Sequence, residues 1–412
     1  MAKKVLLITS GQPSLNPRLV KEADALTDAG YHVTVLYAYW NNWGTELDTK
    51  LLTQKKWMAI RVGGDPVDKP LAFLKSRMLF KASRLIAEKS GYKIISKYVI
   101  ARSSKALIEE AKKHNADLYI AHNLGALPAA VEAAKRRTKP CGFDAEDFHR
   151  HETSNNVADK DVILKSSIED RYLPQVNYVT ASSPQIAEAY QKIYPNLDPV
   201  IVLNVFPKTS NPITKPEQSG VIKLFWFSQT IGNNRGINDV VDALKTLPNE
   251  HFELHLLGDV PASSEQFVSL IKDSGINVQF HSTMEADKLT EFSQQFDVGL
   301  ALEPAFTINN DIALSNKLFT YMQAGLAVIA SDTKAQRAFM QANPDLGEVY
   351  PKGDYKSLAE ILSRYYEDSG RLQLHKATSA NLAADRYNWE TESKKFLKVV
   401  ETTISNFNDV SR

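Results

Sequence analysis

Short apolar runs alternate with amphipathic stretches along most of the chain. Residues 5–8 are all apolar and a polar loop follows Thr9, which indicates a buried strand over residues 5–9. A helix is predicted to begin at Asn16-Pro17, because asparagine caps helices well and proline suits the first helical position. The next strand is predicted over residues 31–37. This alternation is typical of β/α units that build a parallel sheet.

The same alternation occurs twice, on either side of residues 204–220. That stretch is rich in Pro, Ser, Thr and Asn and has no periodicity, so we interpret it as a linker between domains. The strands predicted before it are residues 5–9, 31–37, 59–62, 118–121, 141–144, 178–181 and 200–203. Those predicted after it are residues 223–227, 253–257, 278–281, 298–302 and 327–330, with helices at 237–247, 264–273, 286–294, 316–324 and 389–403. We expect two Rossmann-like α/β domains, over residues 1–204 and 205–385.

The composition is that of an ordinary soluble protein, with 43% apolar residues, 24% charged residues and a net charge of +1. The net charge gives no reason to expect a nucleic-acid partner. The single cysteine, Cys141, excludes an intrachain disulfide and a multi-cysteine metal site. Four apolar residues near the start are too few for a signal peptide, and no segment approaches the roughly 20 apolar residues of a membrane span. We therefore expect a cytoplasmic protein.

Two common cofactor motifs are absent. The dinucleotide fingerprint is missing after the first strand, where the chain reads SGQPSLNPR, and there is no Walker loop. The sequence Asp159-Lys160-Asp161 has the form of a metal-binding motif, but it lies in a polar run with no strand before it. We predict neither a cofactor nor a metal.

Residues 314–332 (LSNKLFTYMQAGLAVIASD) predict a helix followed by a buried strand. Ser315 or Asn316 caps the helix, and Lys317 adds a cation to its amino-terminal amides, which together suit a diphosphate. The alternative is a structural helix with a surface lysine. A second cation, Arg235, precedes Gly236 at the start of another predicted helix in the same half.

Several stretches in order and spacing resemble the retaining family 4 (group 1) glycosyltransferases of GT-B architecture: DLYIAHNLGALPAAVEAAKRR, KPCGFDAEDFH, WFSQTIGNNRGI, FDVGLALEP, NKLFTYMQAGLAVIASD and YNWETESKKFLKVVE. The resemblance implies two Rossmann-like domains that face each other across a cleft, with the terminal segment, residues 386–412, crossing back to the first. It also implies an acceptor domain followed by a donor domain, and transfer from a nucleotide-diphosphate sugar to a saccharide or lipid-linked acceptor with retention. Synthesis of surface polysaccharide or another glycan is the expected setting.

The resemblance assigns the donor diphosphate to Arg235 and Gly236, and to Ser315, Asn316 and Lys317 at the head of the donor helix. Thr320 stands where the family usually has a glutamate that holds the donor ribose, and it is counted among the donor-binding residues. A paired glutamate is replaced by Ile312. Glu303 is then the nearest carboxylate for the transferred sugar and is a candidate catalytic residue.

In the first domain, His122 ends a predicted strand, so we expect it to point into the cleft as the second candidate catalytic residue. The alternative is a loop histidine satisfied by the backbone. Asp144 and Glu146 follow another strand and are assigned to acceptor binding, together with Gly11 and Arg18. These carboxylates are equally suited to capping the following helix.

A basic region lies between residues 69 and 113, with 12 lysines and arginines against three glutamates. This is a local excess of nine positive charges, so the rest of the chain sums to −8. Apolar residues are interleaved with the bases: Leu71, Leu74, Met78, Leu85, Ile94, Ile95, Val99 and Ile100. Such a pattern favours peripheral contact with an anionic membrane, at its inner face, or with a lipid-diphosphate acceptor. Alternatively, one face packs on the domain and the lysines are solvated.

Two other functions remain open from the sequence. One is a sugar-nucleotide epimerase of the same two-domain shape. The other is a non-catalytic scaffold that binds a nucleotide sugar, which the missing ribose glutamate at Thr320 keeps open.

Overall fold

The computed structural model describes residues 2–208 and 220–410. Most of the predicted linker, residues 209–219, lies outside the described residues. Contacts divide the chain into two units. The first unit, here called the first domain, is Met1–Asn204 with Thr307–Asn309 and Ser393–Arg412. The second domain is Val205–Phe306 with Asn310–Glu392.

The first domain contains a parallel seven-stranded sheet in the order β3-β2-β1-β4-β5-β6-β7. Its strands are β1 (Lys4–Thr9), β2 (His32–Ala38), β3 (Met58–Val62), β4 (Leu118–His122), β5 (Cys141–Ala145), β6 (Tyr178–Ala181) and β7 (Val200–Ile201). Its helices are α1 (Pro17–Asp28), α2 (Asn42–Leu52), α3 (Pro70–Ser90), α4 (Tyr92–Val99), α5 (Ser104–Ala111), α6 (Leu127–Arg137), α7 (Lys160–Tyr172) and α8 (Pro184–Ile193).

The start of α1 shows how local sequence sets the element boundaries. The side chain of Asn16 accepts a hydrogen bond from the amide of Leu19 at 3.0 Å, and Pro17 occupies the first helical position. This cap turns the chain directly after the β1 loop. It places Arg18 and Glu22 on the buried face of the helix, against the sheet.

The second domain contains a parallel six-stranded sheet in the order β10-β9-β8-β11-β12-β13. Its strands are β8 (Ile222–Thr230), β9 (Phe252–Asp259), β10 (Val278–His281), β11 (Val298–Ala301), β12 (Ala327–Ser331) and β13 (Gly347–Tyr350). The remaining helices of the chain are α9 (Ile237–Leu244), α10 (Glu265–Lys272), α11 (Ala286–Ser293), α12 (Ile308–Ile312), α13 (Asn316–Ala324), α14 (Lys334–Gln341), α15 (Tyr355–Glu367), α16 (Ser369–Asp385) and α17 (Trp389–Val410).

Strand β7 is shorter than predicted and strand β13 was not predicted, whereas the other strands agree with the prediction to within three residues at each end. The strand expected over residues 200–203 is only two residues long, and directly after it the carbonyl of Val202 accepts a hydrogen bond from Arg18 at 2.7 Å. Strand β13 was not predicted, since its sequence GEVY has no apolar run. It begins at Gly347, where a Cβ atom would lie 1.8 Å from the carbonyl oxygen of Val328. Glycine therefore permits the close approach of β13 to β12.

Both sheets reverse their strand order once, between β1 and β4 in the first domain and between β8 and β11 in the second. In open parallel sheets, ligands bind beyond the carboxyl ends of the strands at such a point. Among the helices of the described residues, none is both long and apolar enough to cross a membrane.

Candidate functional site

The strand-order reversal of the second domain brings two loops together. After β8 the chain makes a single 3-10 turn and reaches Gly236, which has a positive φ of 74°. A Cβ atom at Gly236 would lie 2.8 Å from the Cβ of Leu302, so glycine allows this turn to pack against the end of β11. Arg235 is thereby placed beside the chain segment that carries Glu303.

Glu303 is the centre of a hydrogen-bond network that we call the donor-edge cluster, formed by Glu303, Asn310, Ser315 and Lys317. One carboxylate oxygen accepts from Ser315 Oγ at 2.9 Å and from Lys317 Nζ at 2.8 Å. The other accepts from the amide nitrogen of Asn310 at 3.3 Å. Burial alone would raise the pKa of Glu303, but Lys317 and these hydrogen bonds lower it below its usual value. The carboxylate is therefore ionised at neutral pH.

The head of α13 is open to a ligand. The hydroxyl of Ser315 binds Glu303 and makes no cap hydrogen bond to the helix, and Asn316 is exposed. Lys317 is 14% exposed and its Nζ lies 6.0 Å from the centre of the Trp226 ring. The amino-terminal amides of the helix and Lys317 thus supply positive charge at one place, which favours an anion.

Arg235 is exposed, and within residues 2–208 and 220–410 it forms no ion pair or hydrogen bond. It is therefore available for a ligand anion. Thr320 differs from the expectation for a donor-binding residue. It is 2% exposed and its hydroxyl donates to the carbonyl of Asn316, one turn earlier in the same helix, at 3.3 Å. The threonine hydroxyl therefore makes its hydrogen bond within its own helix, and the side chain is buried.

In the first domain, Arg18, Glu22, His122 and Asp144 form a buried ionic cluster in which no residue is more than 1% exposed. The guanidinium of Arg18 donates two hydrogen bonds to the two oxygens of Asp144, each at 2.7 Å. The imidazole of His122 has one nitrogen 3.0 Å from Glu22 and the other 3.4 Å from Asp144. Thr180 donates a further hydrogen bond to Asp144 at 2.6 Å.

Electrostatics in this cluster favour the charged forms of His122 and Asp144. Burial would lower the pKa of His122, but Glu22 and Asp144 together raise it to about 10. The pKa of Asp144 is held well below its usual value by Arg18 and His122, against the effect of burial. Burial and the neighbouring Asp144 raise the pKa of Glu22.

The buried cluster contains three of the site residues predicted from the sequence. His122, Arg18 and Asp144 were expected to face a ligand, but their side chains point at one another and are closed off from solvent. The physical reason is Glu22, one helical turn after Arg18, whose carboxylate provides the second acid that the buried cations need. Sequence reasoning missed Glu22, although its spacing of four residues from Arg18 is the available signal.

The same atoms have the ligand types of a metal site, since donor atoms of Glu22, His122 and Asp144 lie within 4.8 Å of one another. However, both oxygens of Asp144 already accept hydrogen bonds from Arg18. The guanidinium thus already supplies positive charge to Asp144, and we interpret the cluster as part of the architecture of the domain.

Glu146 and Gly11 have more open surroundings. Glu146 is partly exposed and accepts a hydrogen bond from Asn204 at 3.1 Å, and burial together with Asp147 raises its pKa to about 7. No atom lies within 4 Å of the place where a Cβ of Gly11 would be, so the backbone there is accessible. These two are the predicted acceptor-binding residues that the structure leaves accessible.

The basic region, residues 69–113, forms α3, α4 and α5. On α3 the apolar residues at helical spacing are exposed: Leu71 (84%), Leu74 (56%), Met78 (62%) and Leu85 (62%). We call these four residues the outer stripe. Val99 is buried, as expected for a packing residue, and the side chain of Ile94 lies outside the description.

Comparisons with known proteins agree with this fold. Residues 222–368, a little over a third of the chain and almost all in the second domain, match the family model described as "Glycosyl transferases group 1". No curated protein matches the sequence significantly.

Among solved structures, a sucrose-phosphate synthase from Thermosynechococcus elongatus has a TM-score of 0.67 at 15% identity, covering 98% of this chain and 100% of that chain. The Anabaena protein HepE, solved in complex with UDP and glucose, has a TM-score of 0.64 at 15% identity, covering 97% and 100%. The lipopolysaccharide outer core galactosyltransferase WaaB has a TM-score of 0.64 at 15% identity, covering 97% and 99%. At this identity the likeness speaks to the fold alone, and it confirms the predicted class: two Rossmann-like domains of GT-B type.

Proposed function

We propose that this protein is a retaining glycosyltransferase that moves a sugar from a nucleotide-diphosphate donor to a saccharide or lipid-linked acceptor. The observation that carries the proposal is the donor-edge cluster, which joins Glu303 to Ser315 and Lys317 at an uncapped helix start, next to the exposed Arg235. The match to the glycosyl transferase family model covers these residues. A role in the synthesis of a surface polysaccharide or another glycan forms part of the proposal.

The roles follow from the charges. Arg235, Lys317 and the first amides of α13 bind the diphosphate and stabilise the negative charge that builds on the leaving phosphate, which is often the largest catalytic contribution. Glu303 is ionised and held from three sides, so it accepts hydrogen bonds from hydroxyls of the transferred sugar. Retention follows if the donor phosphate itself takes the proton from the acceptor hydroxyl.

No metal is required in this scheme, because two cationic side chains and helix amides neutralise the diphosphate. Turnover of a nucleotide sugar in excess EDTA is therefore expected to equal turnover without it. Complete loss of activity in EDTA, restored by manganese, would contradict this part of the proposal.

The two alternatives are separated by following the donor. A transferase releases nucleoside diphosphate faster when an acceptor is added, whereas an epimerase changes the sugar with no acceptor present. A scaffold binds the nucleotide sugar and returns it unchanged after long incubation. A thermal-shift screen over a panel of nucleotide sugars identifies the donor to use, and increased release with acceptor supports transfer.

Peripheral contact with an anionic membrane through residues 69–113 is a separate part of the proposal. It is supported by the outer stripe on α3, whose four large apolar side chains face solvent beside Lys75, Lys81 and Arg84. Exposed apolar residues flanked by bases suit the headgroup region of an anionic bilayer.

A further inference from the structure

Two tryptophans are exposed at the carboxyl edge of the first domain's sheet. Trp40 and Trp43, in and just after the loop that follows β2, are 51% and 56% exposed. The other three tryptophans of the chain, Trp57, Trp226 and Trp389, are at most 8% exposed. Large exposed aromatic side chains at a ligand-binding edge are typical of binding surfaces.

The loop that presents these tryptophans is held from below by Gln12, which is fully buried. Its side-chain oxygen accepts hydrogen bonds from the amides of Trp40 at 3.0 Å and Asn41 at 2.9 Å. Its side-chain nitrogen donates to Thr45 at 3.1 Å and to Asp48 at 3.0 Å. The oxygen and the nitrogen of the Gln12 side chain thus both hold this loop and the start of α2 in place. The two indole rings therefore project from an ordered backbone.

One arginine contacts Trp40, and a second contacts an aromatic ring that packs on the residue next to Trp40. The guanidinium of Arg102 lies over the ring of Trp40, 4.8 Å from its centre, and that of Arg77 lies over Phe73 at 4.7 Å. Phe73 in turn packs edge-to-face on Tyr39, the neighbour of Trp40, with ring centres 5.6 Å apart. These contacts place both cations in one cluster with the exposed indole of Trp40.

Neither arginine has an acidic partner among the residues described by the structure. Burial and the nearby Arg102 lower the pKa of Arg77, as expected for two like charges close together. Arg102 also lines a cavity of about 230 Å³, together with Lys75, Lys105 and Glu109, and Glu109 lies 3.9 Å from Lys105. A bound anion would relieve the repulsion between these cations.

We propose that Trp40, Trp43, Arg77 and Arg102 bind an anionic saccharide, a sugar that carries a carboxylate or a phosphate, as the acceptor. The proposal rests on the proposed function, in which the first domain holds the acceptor. The apolar C–H face of a pyranose ring packs on an indole ring, and a guanidinium binds carboxylate or phosphate through two parallel hydrogen bonds. The four residues together therefore select a sugar with a negative charge over a neutral one.

Tryptophan fluorescence tests the proposal on the whole protein, because only Trp40 and Trp43 are accessible to an added quencher. Acrylamide quenching is measured with D-glucuronic acid, D-glucose 6-phosphate, methyl α-D-glucopyranoside, or inorganic phosphate. The two anionic sugars are expected to protect the tryptophans at concentrations about tenfold lower than the neutral glycoside. Inorganic phosphate alone is expected to give little protection, since it has no apolar face for the indoles.

Variants assign the effect to the residues. Arg77→Gln with Arg102→Gln is expected to abolish the preference for anionic sugars while leaving the weak protection by methyl α-D-glucopyranoside. Arg136→Gln is the matched control, since Arg136 is exposed in the last turn of α6 and has no ion pair within the described chain. It should behave as wild type. Trp40→Phe with Trp43→Phe is expected to remove the protected signal.

Several outcomes would overturn the proposal. Equal protection by the anionic and neutral sugars, or no protection by either, excludes an anionic-saccharide site here. Equal protection by inorganic phosphate reduces it to an anion site, and equal protection by vesicles of phosphatidylglycerol makes it a membrane surface. Failure here is distinguishable from failure of the proposed function, because thermal shift by nucleotide sugars and donor turnover depend on the second domain.

Discussion

In both domains, charged side chains lie near the strands that flank the reversal of strand order, but their environments differ. The buried ionic cluster of the first domain, Arg18, Glu22, His122 and Asp144, is closed to solvent and its charges are paired internally. In the second domain, Arg235 is exposed and the head of α13 is uncapped. The same sheet topology therefore carries buried, internally paired charges in one domain and exposed positive charge in the other.

The two clusters differ in how much of their positive charge is already paired with acidic side chains. Buried charges offset their desolvation cost only when opposite charges lie close to them, and in the first cluster Glu22 and Asp144 lie within ion-pair distance of Arg18 and His122. The donor-edge cluster pairs Glu303 fully but leaves Arg235 and the helix amides open. A ligand anion can bind where the positive charges of a cluster outnumber the acidic side chains that pair with them.

The largest expected effect comes from opening the buried cluster. Arg18→Met leaves Asp144 buried without its two guanidinium hydrogen bonds, which should lower the free energy of unfolding by about 3–5 kcal/mol. The measurement is urea unfolding followed by circular dichroism. Arg235→Met, the same substitution at an exposed site, is the control and should change stability by less than about 0.5 kcal/mol. Similar losses from both variants would contradict the distinction between the domains.

The second prediction concerns turnover, with stability expected to stay unchanged. Arg235→Ala and Lys317→Ala should each reduce turnover of a nucleotide-sugar donor about 10- to 1000-fold, because each removes one stabiliser of the charge on the leaving phosphate. Both variants should keep the wild-type melting behaviour to within a few degrees. The check is release of nucleoside diphosphate at saturating donor. Near wild-type rates in both variants would mean that the donor-edge cluster does not bind the diphosphate.

The third prediction concerns pH. Because the pKa of His122 is raised to about 10 in the folded protein, its protonated form contributes stability that is fully present below its unfolded value of about 6.5. This contribution is lost as pH rises through about 10. The stability difference between wild type and His122→Gln should therefore shrink from pH 7 to pH 10.

The comparison with the variant is needed because another group acts in the opposite direction. Burial lowers the pKa of Lys21 to about 7, so its contribution to stability grows with pH over part of the same range. Lys21 is unchanged in His122→Gln, and its effect cancels in the difference. A difference that stays constant with pH would mean that His122 is not held in its charged form.

Much of the fold follows from the sequence, because parallel strands buried on both faces appear as continuous apolar runs. The predicted bounds of β6, β10 and α13 are those of the structure. The orientation of His122 does not follow, because it depends on Glu22, 100 residues earlier in the chain. Likewise, the position of Thr320 in its helix was predicted, but its hydrogen bond to the carbonyl of Asn316 was not. The sequence alone does not determine whether the hydroxyl donates to its own helix or to a ligand.

The smallest expected effect concerns membrane binding by the first domain. The outer stripe on α3 is the part of that domain that is proposed to contact a membrane. Each base near an anionic bilayer contributes about 1 kcal/mol, and the attraction decays within a Debye length of about 8–10 Å. Lys75→Gln with Lys81→Gln and Arg84→Gln should therefore weaken co-sedimentation with phosphatidylglycerol vesicles at least tenfold at low salt, by about 1.4 kcal/mol or more. Leu74→Gln with Met78→Gln should weaken it at high salt as well, because apolar burial is not screened. Exposed side chains contribute little to folding, so melting temperatures should hardly change. Equal binding of wild type to neutral and anionic vesicles, or binding to neither, would mean that α3 is only a solvated helix.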